Sequence, residues 1–397
     1  MMNDKTLTAI GLMSGKSLDG IDVALVETDG DGTVSTGPSL SVPYDPVIRA
    51  TVIRATKAAL EGRDEAKDIL EASNLVTTAH IEAVRSLMEK NRLRSRDVDV
   101  IGFHGQTILH RPPLDSTAPG RTWQIGQGHI LAQELKIDVI DQFRRADMAA
   151  GGQGAPFSPI YHAALSHHSA GDAPGLAEEG AEFEATAETG PTPPMAILNL
   201  GGVANVTYLP RGGDPMGMIA FDCGPGNGLV DQWVYRHTGE KMDKDGALAA
   251  SGTVDEEAVA LMALNPFVRK APPKSLDRYD FKLGSIEGLS VADGAATLTA
   301  FTAECVARSA SLLPEPPEEW IVCGGGRLNP TMMQELSARV EAPVLSAEEK
   351  GWRGNMIEAE CFAYLAVRSL KKLPLSYPLT TGAPRPMTGG VHHRAPA

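Results

Sequence analysis

The sequence predicts a two-domain α/β protein, and three observations lead to this prediction. The chain has 397 residues, 42% hydrophobic and 22% charged, which allows a sizeable core and exceeds the usual size of one domain. Apolar β-branched runs alternate with stretches of helical spacing along most of its length. Two glycine-rich hairpins of similar make occur near residues 15 and 201. A repeated hairpin indicates a duplicated design in which each domain begins in the same way.

The first hairpin, hairpin one, is predicted from strands over 6–12 and 21–27 around the small-residue turn 13–20. Gly15-Lys16-Ser17 is similar to the end of a P-loop, but the glycine spacing is one residue short. The residues that follow also alternate as a strand, whereas a P-loop leads into a helix. Helices are expected next over 44–60 and 66–91, and a buried strand over 98–102.

The second hairpin, hairpin two, is predicted from strands over 196–200 and 203–209 around Gly201-Gly202. Glycines let a phosphate approach the backbone N–H groups of such a turn, and Asn205 adds a side-chain amide. A third strand over 218–221 ends at Asp222, followed by Gly-Pro-Gly, so a carboxylate is expected at a strand end beside an opening. The alternative is an ordinary hairpin in which Asp222 only caps the next turn.

A third glycine-rich turn, Gly324-Gly325-Gly326, follows a predicted buried strand over 320–323 and precedes a helix over 331–340. This turn is flat enough to cover a purine. Further helices are expected over 228–238, 255–264, 292–313 and 356–370. Residues 170–194 are biased to Ala, Gly, Glu and Pro, which predicts a flexible surface insertion. The tail beyond Gly389 is expected to be frayed.

Composition narrows the possible partners. A net charge of −14 and a pI near 5.2 argue against nucleic-acid and membrane binding, although a small anion can still bind a nest of N–H groups. The four cysteines form no C-x-x-C pair, so neither a disulfide framework nor a zinc site is indicated, and a cytoplasmic location fits. No signal peptide or run of transmembrane length is evident. The oligomeric state stays open, with a homodimer as one alternative.

Nine segments occur in one order over about residues 7–390: GLMSGKSLDGIDVALVE, FHGQT, WQIGQG, FRRADMAAGGQGAP, LNLGGVANVT, FDCGPGNGLVD, CGGGRLNP, IEAECFAYLA and TTGAP. Together they resemble the anhydro-N-acetylmuramic acid kinase family of the sugar kinase, actin and heat-shock chaperone superfamily. The resemblance implies a two-domain actin-like ATPase (ribonuclease H-like) fold with a cleft between the domains.

The implied activity is an ATP- and Mg²⁺-dependent phosphorylation. The enzyme would open the 1,6-anhydro ring of anhydro-N-acetylmuramic acid with water and phosphorylate O6, giving N-acetylmuramic acid 6-phosphate and ADP in cell-wall recycling. Two alternatives stay open: a non-catalytic nucleotide-dependent switch of the actin or chaperone type, and a kinase for another sugar that needs no water.

We expect an N-terminal domain over 1–145, completed by a segment of about 374–397, and a second domain over 146–373 that contains the insertion. The resemblance implies Asp222 as the general base that activates water. Asp19 is the expected contact to Mg²⁺, with Asp22 as the alternative. The implied substrate-binding residues are Arg144, His162, Asn227 and Glu358. The implied ATP-binding residues are Gly11, Ser14, Gly15, Lys16, Ser17, Asp19, Gly20, Asn199, Gly201, Gly202, Asn205, Gly324, Gly325, Gly326 and Asn329.

Two positions depart from the family pattern. Lys16 stands where family members usually have threonine, which places a cation beside the expected β- and γ-phosphates. The usual Asp-Phe-Arg reads Gln142-Phe143-Arg144, with an acid one place earlier at Asp141. A role for that acid is therefore not implied by the pattern.

Lys16→Thr should alter the KM for ATP more than the KM for the sugar, because the turn of hairpin one is expected to bind phosphates. Steady-state kinetics with each substrate varied in turn would measure the two constants. Equal shifts in both constants, or no shift in either, would contradict this placement of Lys16.

Overall fold

The computed structural model describes residues 5–15, 17–113, 120–168, 192–276, 281 and 283–396. The chain divides into two compact units, Met1–Asp172 with Met356–Ala397, and Ala173–Asn355. Segments 146–172 and 356–373, which the expected boundaries assigned to the second domain, belong to the first unit. Lys16 and most of the 170–194 insertion lie outside the described residues. Among the helices that are described, none has the length and apolar character needed to cross a membrane.

The first unit begins with a hairpin and its helices. Its strands are β1 (Leu7–Ser14), β2 (Gly20–Thr28), β3 (Val34–Pro43), β4 (Val100–Arg111), β5 (Arg121–Ile125) and β6 (Asp138–Asp141). Its helices are α1 (Pro46–Leu60), α2 (Lys67–Lys90), α3 (Gly128–Leu135), α4 (Arg144–Ala149) and α5 (Ser158–His168). Helix α1 starts where Asp45 accepts a hydrogen bond from the N–H of Val47 and Pro46 occupies the first turn, a favourable start for a helix.

The second unit likewise begins with three strands followed by helices. Its strands are β7 (Met195–Leu200), β8 (Ala204–Leu209), β9 (Ile219–Gly224), β10 (Glu319–Cys323) and β11 (Val344–Ser346). Its helices are α6 (Gly228–Thr238), α7 (Ala247–Ala250), α8 (Glu256–Met262), α9 (Pro266–Arg269), α10 (Val291–Ser309) and α11 (Pro330–Arg339). The chain then returns to the first unit through α12 (Ile357–Leu370), α13 (Pro378–Thr381) and β12 (Val391–His393).

The two sheets share the order and directions of five strands, and the first sheet has β12 and β5 in addition. The first runs β12-β6-β4-β1-β2-β3, with β5 beside β4, and the second runs β11-β10-β7-β8-β9. In each unit the first strand is antiparallel to the second, the second is antiparallel to the third, and the first is parallel to the fourth. The predicted α/β class and the duplication are therefore confirmed, and this repeated sheet is that of an actin-like ATPase.

Four strands, β3, β5, β11 and β12, were missed by the sequence analysis, because none of them has a strong apolar pattern. β3 contains glycine, proline and serines and lies at the sheet edge with half of its residues exposed; proline is tolerated at such an edge. β5 is short and ends three residues before helix α3 begins at Gly128. The expectation of a frayed tail was wrong, because Val391–His393 pairs antiparallel with β6.

Two further strands extend beyond their expected ends. β4 continues to Arg111, so the segment 103–107 lies within the strand and pairs with β5. β9 runs to Gly224, so Asp222 is a residue of the strand and not the first residue after it. In both places polar residues and glycines masked strand structure that neighbouring strands stabilise by backbone pairing.

Helix α12 approaches the first sheet very closely, and two glycines make this approach possible. Gly11 of β1 and Gly102 of β4 are direct partners in the parallel ladder. A Cβ atom at Gly11 would overlap the carbonyl oxygen of Ala359, and one at Gly102 would overlap that of Phe362. The absence of side chains at this glycine pair therefore sets the depth at which α12 lies against the sheet.

Gly11→Ala should destabilise the first unit by several kcal/mol, roughly 2 or more, because either α12 or β1 must move apart from a closely packed neighbour. Thermal or urea unfolding would measure the loss. Gly32→Ala is the matched control, since no described atom lies within 4 Å of a Cβ atom built there. Similar stability of the two variants would contradict the packing argument.

Candidate active site

The turn of hairpin one is held by a glutamine from the neighbouring strand. The Gln106 side-chain amide donates to the carbonyl of Gly15 at 3.1 Å, and the N–H of Leu18 donates to the same carbonyl at 3.2 Å. Ser14 is buried and its hydroxyl donates to the carbonyl of Gly105 at 3.4 Å. The turn is therefore shaped from the strand that carries the predicted FHGQT motif, a link that the sequence analysis did not identify.

The glycines expected to contact ATP fall into two groups. Gly11, Gly20, Gly324 and Gly326 are close-packing positions, since a Cβ atom at any of them would overlap atoms of α12, β3 or β7. Gly202 and Gly325 have no described atom within 4 Å of such a Cβ atom, and around Gly15 and Gly201 no described atom comes nearer than 3.5 Å. The second group offers uncovered backbone, which is what phosphate and ribose require.

Arg144 and Glu358, two expected sugar-binding residues, lie close enough to interact electrostatically. Arg144 donates to the carbonyl of Gly154 at 2.6 Å and to Nε2 of His104 at 3.0 Å. Burial lowers the pKa of Arg144 to about 10, against the opposing effect of the Glu358 charge. Desolvation raises the pKa of Glu358 although the residue keeps an exposed surface, and the positive charge of Arg144 opposes this rise. The first unit thus contains a cation and a carboxylate that interact electrostatically.

His104 must accept a hydrogen bond through Nε2, because a guanidinium can only donate. This requires a neutral ring with its proton on Nδ1. Burial and the charge of Arg144 hold the pKa of His104 well below its usual range, which keeps the acceptor lone pair available. His104 therefore orients Arg144. Asp147, in the same helix as Arg144, accepts hydrogen bonds from Ser376, Thr381 and the N–H of Gly154.

His162 lies in α5 and is 3% exposed. Its Nδ1 atom has no hydrogen-bond partner among the described residues, and burial lowers the pKa of the ring to about 3. Helix α5 is tied to α12 through Tyr161, whose hydroxyl donates to Glu360 at 2.8 Å. The described contacts do not join His162 to Arg144 or Glu358, so its expected role in sugar binding stays a prediction.

Two carboxylates follow the turn of hairpin one. Asp19 is exposed, and Asp22, two residues into β2, accepts a hydrogen bond from Ser41 at 2.5 Å. Desolvation raises the pKa of Asp22, and the negative charge of Asp19 adds to the rise. Two carboxylates close to one another suit a hard divalent cation that keeps most of its waters. Within the described ranges no cluster of three or more acidic, histidine or cysteine side chains is arranged around a metal site.

Asp222, the expected base, has both carboxylate oxygens fixed by the protein. Oδ1 accepts a hydrogen bond from the amide of Asn205 at 2.9 Å, and Oδ2 accepts one from the N–H of Leu276 at 2.7 Å. Asn205 faces Asp222 across the β8–β9 ladder. The amide of Asn205, expected to bind phosphate, is thus used to orient Asp222. An ionised carboxylate can accept about four hydrogen bonds, which is more than these two.

Hairpin two and the start of α6 form one structure with the third glycine turn. The N–H groups of Asn227 and Gly228 donate to the carbonyls of Gly201 and Gly202 at 2.9 and 3.1 Å. The Asn227 side chain donates to the carbonyl of Leu200 at 3.2 Å. A Cβ atom at Gly324 would overlap the Asn199 side chain. The residues expected to bind nucleotide in the second unit are therefore brought together.

Arg327 holds this third turn in place. Arg327 is 6% exposed. Its guanidinium donates to the carbonyl of Gly324 at 2.8 Å and to the Glu348 carboxylate at 2.7–3.0 Å. The hydrogen bond from Arg327, together with its charge, lowers the pKa of Glu348. Asn329, expected at the adenosine, caps α11 by accepting from the N–H of Met332 at 3.0 Å. The sequence analysis missed Arg327, although a charged residue within a glycine turn after a buried strand was a usable signal.

These sheets and turns define the class of the protein as an actin-like nucleotide-binding fold, and comparison with known proteins defines the family. Residues 7–177 and 179–395 match the family described as anhydro-N-acetylmuramic acid kinase. A protein of that name from Bradyrhizobium diazoefficiens is 49% identical over 97% of this chain and 98% of its own length. One from Rhizorhabdus wittichii is 47% identical over 98% and 99%.

Among solved structures, the activator of the 2-hydroxyisocaproyl-CoA dehydratase from Clostridium difficile, with bound ADPNP, has a TM-score of 0.44. It is 11% identical, with 92% of this chain and 96% of that chain covered. This similarity is too distant to bear on function. The family match and the curated relatives are decisive: the chain belongs to the anhydro-N-acetylmuramic acid kinase family and is a kinase. The non-catalytic switch is thereby excluded.

Acid should destabilise the folded protein through its buried neutral histidines. The folded pKa values of His162 and His80 are about 3 and about 4, against an ordinary value of 6.5. Below about pH 6.5 these two histidines bind protons in the unfolded chain but stay neutral in the folded protein, so the free energy of unfolding falls as the pH falls. At pH 5 each ring should lower the free energy of unfolding by about 2 kcal/mol relative to neutral pH.

His162→Leu should reduce this acid sensitivity, measured as the difference in Tm between pH 7.5 and pH 5. His167→Gln is the matched control, because His167 is an exposed residue of the same helix. If His162→Leu loses as much Tm on acidification as the wild type, His162 is not a buried neutral histidine.

Proposed function

We propose that the protein opens the 1,6-anhydro ring of anhydro-N-acetylmuramic acid with water and transfers the γ-phosphoryl group of ATP to O6. The products are N-acetylmuramic acid 6-phosphate and ADP, a reaction of cell-wall recycling in the cytoplasm. The observation that carries the proposal is Asp222, a carboxylate fixed through both oxygens in a strand beside the uncovered glycines of hairpin two. Family membership supplies the kinase activity within which this base is needed.

The proposed chemistry couples two bond exchanges. Asp222 takes a proton from water as the water oxygen bonds to C1 of the sugar, and the bond from C1 to the bridging oxygen breaks. The bridging oxygen leaves as an alkoxide on C6, which is a better nucleophile than a hydroxyl. It attacks the γ-phosphorus of ATP, and the bond from that phosphorus to the β,γ-bridging oxygen breaks to release ADP. The protein contributes orientation and charge neutralisation to this transfer.

The other residues take roles that suit their environments. Gly15, Ser17, Gly201 and Gly202 offer backbone or hydroxyl donors to the phosphates, and the turn at Gly324–Gly326 covers adenosine. Arg144 binds the carboxylate of the sugar. Glu358 binds the hydroxyls of the sugar, and Asn227 and His162 are further contacts to the sugar. Asp19, with Asp22 nearby, would hold Mg²⁺, which supplies neutralisation of phosphate charge.

Asp222→Asn should lower kcat by about 100-fold or more while ATP affinity stays near normal, because the amide has no basicity at this position. In either orientation of the new amide, its NH₂ group faces another donor, either the Asn205 amide or the Leu276 N–H. This clash can lower stability, so Tm should be measured alongside turnover. Asp214→Asn is the matched control, as Asp214 is an exposed carboxylate of the same unit.

Wild-type turnover in oxygen-18 water should place the label on C1 of the sugar and none in the transferred phosphate. Mass spectrometry of the isolated sugar phosphate, before and after phosphatase treatment, separates the two positions. Label in the phosphate would rule out this coupling. Retention of near-normal turnover by Asp222→Asn would rule out the base.

A further inference from the structure

One lysine of the second unit lies buried beside the proposed base. Lys274 is 3% exposed, and its ammonium donates to the carbonyls of Phe267 and Val268 at 2.9 and 3.2 Å. The ammonium also lies 4.7 Å from the ring centre of Phe267 and 5.4 Å from that of Phe221. Burial lowers the pKa of Lys274. A charge kept out of water needs compensation, and here carbonyl dipoles and aromatic faces supply it.

The carbonyls that bind this ammonium belong to the short helix α9. A cation near the end of a helix interacts favourably with carbonyl groups that lack helical partners. The side chain of Lys274 therefore attaches the segment 274–276 to α9. Its exposed neighbour in sequence, Lys270, has no described side-chain hydrogen bond, so burial distinguishes Lys274 from the other lysine of the loop.

The backbone of the same segment runs along the edge of the second sheet at Asp222. The carbonyl of Lys274 accepts a hydrogen bond from the N–H of Asp222 at 3.1 Å. Two residues later, the N–H of Leu276 donates to Oδ2 of Asp222 at 2.7 Å. Since β9 is at the edge of the described sheet, no further strand supplies these partners. The loop thus pairs with β9 where a neighbouring strand would otherwise do so. It also gives the Asp222 carboxylate a backbone N–H donor, which does not titrate.

We infer that Lys274 is a positioning residue for the proposed base: by anchoring segment 274–276 to α9, it holds the Leu276 N–H against Oδ2 and fixes the carboxylate of Asp222. This inference rests on the proposed function, in which Asp222 takes a proton from water. Lys274 needs no contact with the sugar or ATP for this role. Its side chain acts through the loop, and the loop acts through one backbone hydrogen bond.

Lys274→Met keeps a side chain of similar length and removes the ammonium. It should lower kcat by about 10-fold, since a small misplacement of a reacting group costs up to about 100-fold in rate, and leave the KM for ATP within about twofold. Lys270→Met, which alters the exposed lysine of the same loop, should leave both constants unchanged. Leu276→Pro removes the N–H donor while keeping Lys274 and should reproduce the loss in kcat.

A double-mutant cycle separates positioning from general damage. In the Asp222→Asn background, Lys274→Met should have little further effect on the residual rate, because the base through which it acts is already absent. An equal loss in both backgrounds, or kcat within twofold of wild type for Lys274→Met, would overturn the inference. Should Lys274→Met fail to fold, the same two comparisons with Leu276→Pro decide.

The controls also distinguish this inference from the proposed function. Loss of activity in Asp222→Asn together with normal turnover in Lys274→Met and Leu276→Pro would remove the positioning role alone. Near-normal turnover in Asp222→Asn would overturn both the base and the residue proposed to position it.

Discussion

The close approach of α12 to the glycine pair of β1 and β4 is the constraint on which the first unit depends. Gly11 and Gly102 pair directly, and backbone atoms of α12 occupy the space where their side chains would be. Because α12 begins at Ile357, this contact also sets the position of Glu358 in its first turn. The same two strands lead into the turn of hairpin one and into His104. This one backbone contact therefore sets the relative positions of several residues that are far apart in the sequence.

Buried polar groups then fix the return of the chain to this unit. Arg368 of α12 is 3% exposed and donates to the carbonyls of Gly30 and Pro374 at 2.7 and 2.6 Å. Asp147, 1% exposed, accepts hydrogen bonds from Ser376 and Thr381. Such groups are costly to bury without partners. Their pairing explains why the final segment of the chain belongs with the N-terminal sheet.

Duplication of the sheet does not duplicate the chemistry. In both units the third strand lies at the sheet edge, but half of the residues of β3 are exposed, whereas β9 carries Asp222 and is covered by the loop that contains Lys274. The first unit instead contributes an arginine, a glutamate and two nearby aspartates. The same topology therefore carries the proposed base in one unit and, in the other, the charged groups proposed to bind anions and hydroxyls.

The sequence by itself determined the α/β class, the duplicated hairpins and the candidate residues in the glycine-rich turns, because periodicity and turn residues act over short distances along the chain. It also placed α6 and the start of α12 closely. Only the tertiary structure decided that β3, β5 and β12 are strands, that Asn205 and Leu276 orient Asp222, and that His104 orients Arg144. These features depend on hydrogen bonds between segments distant in sequence, whose partners no local pattern specifies.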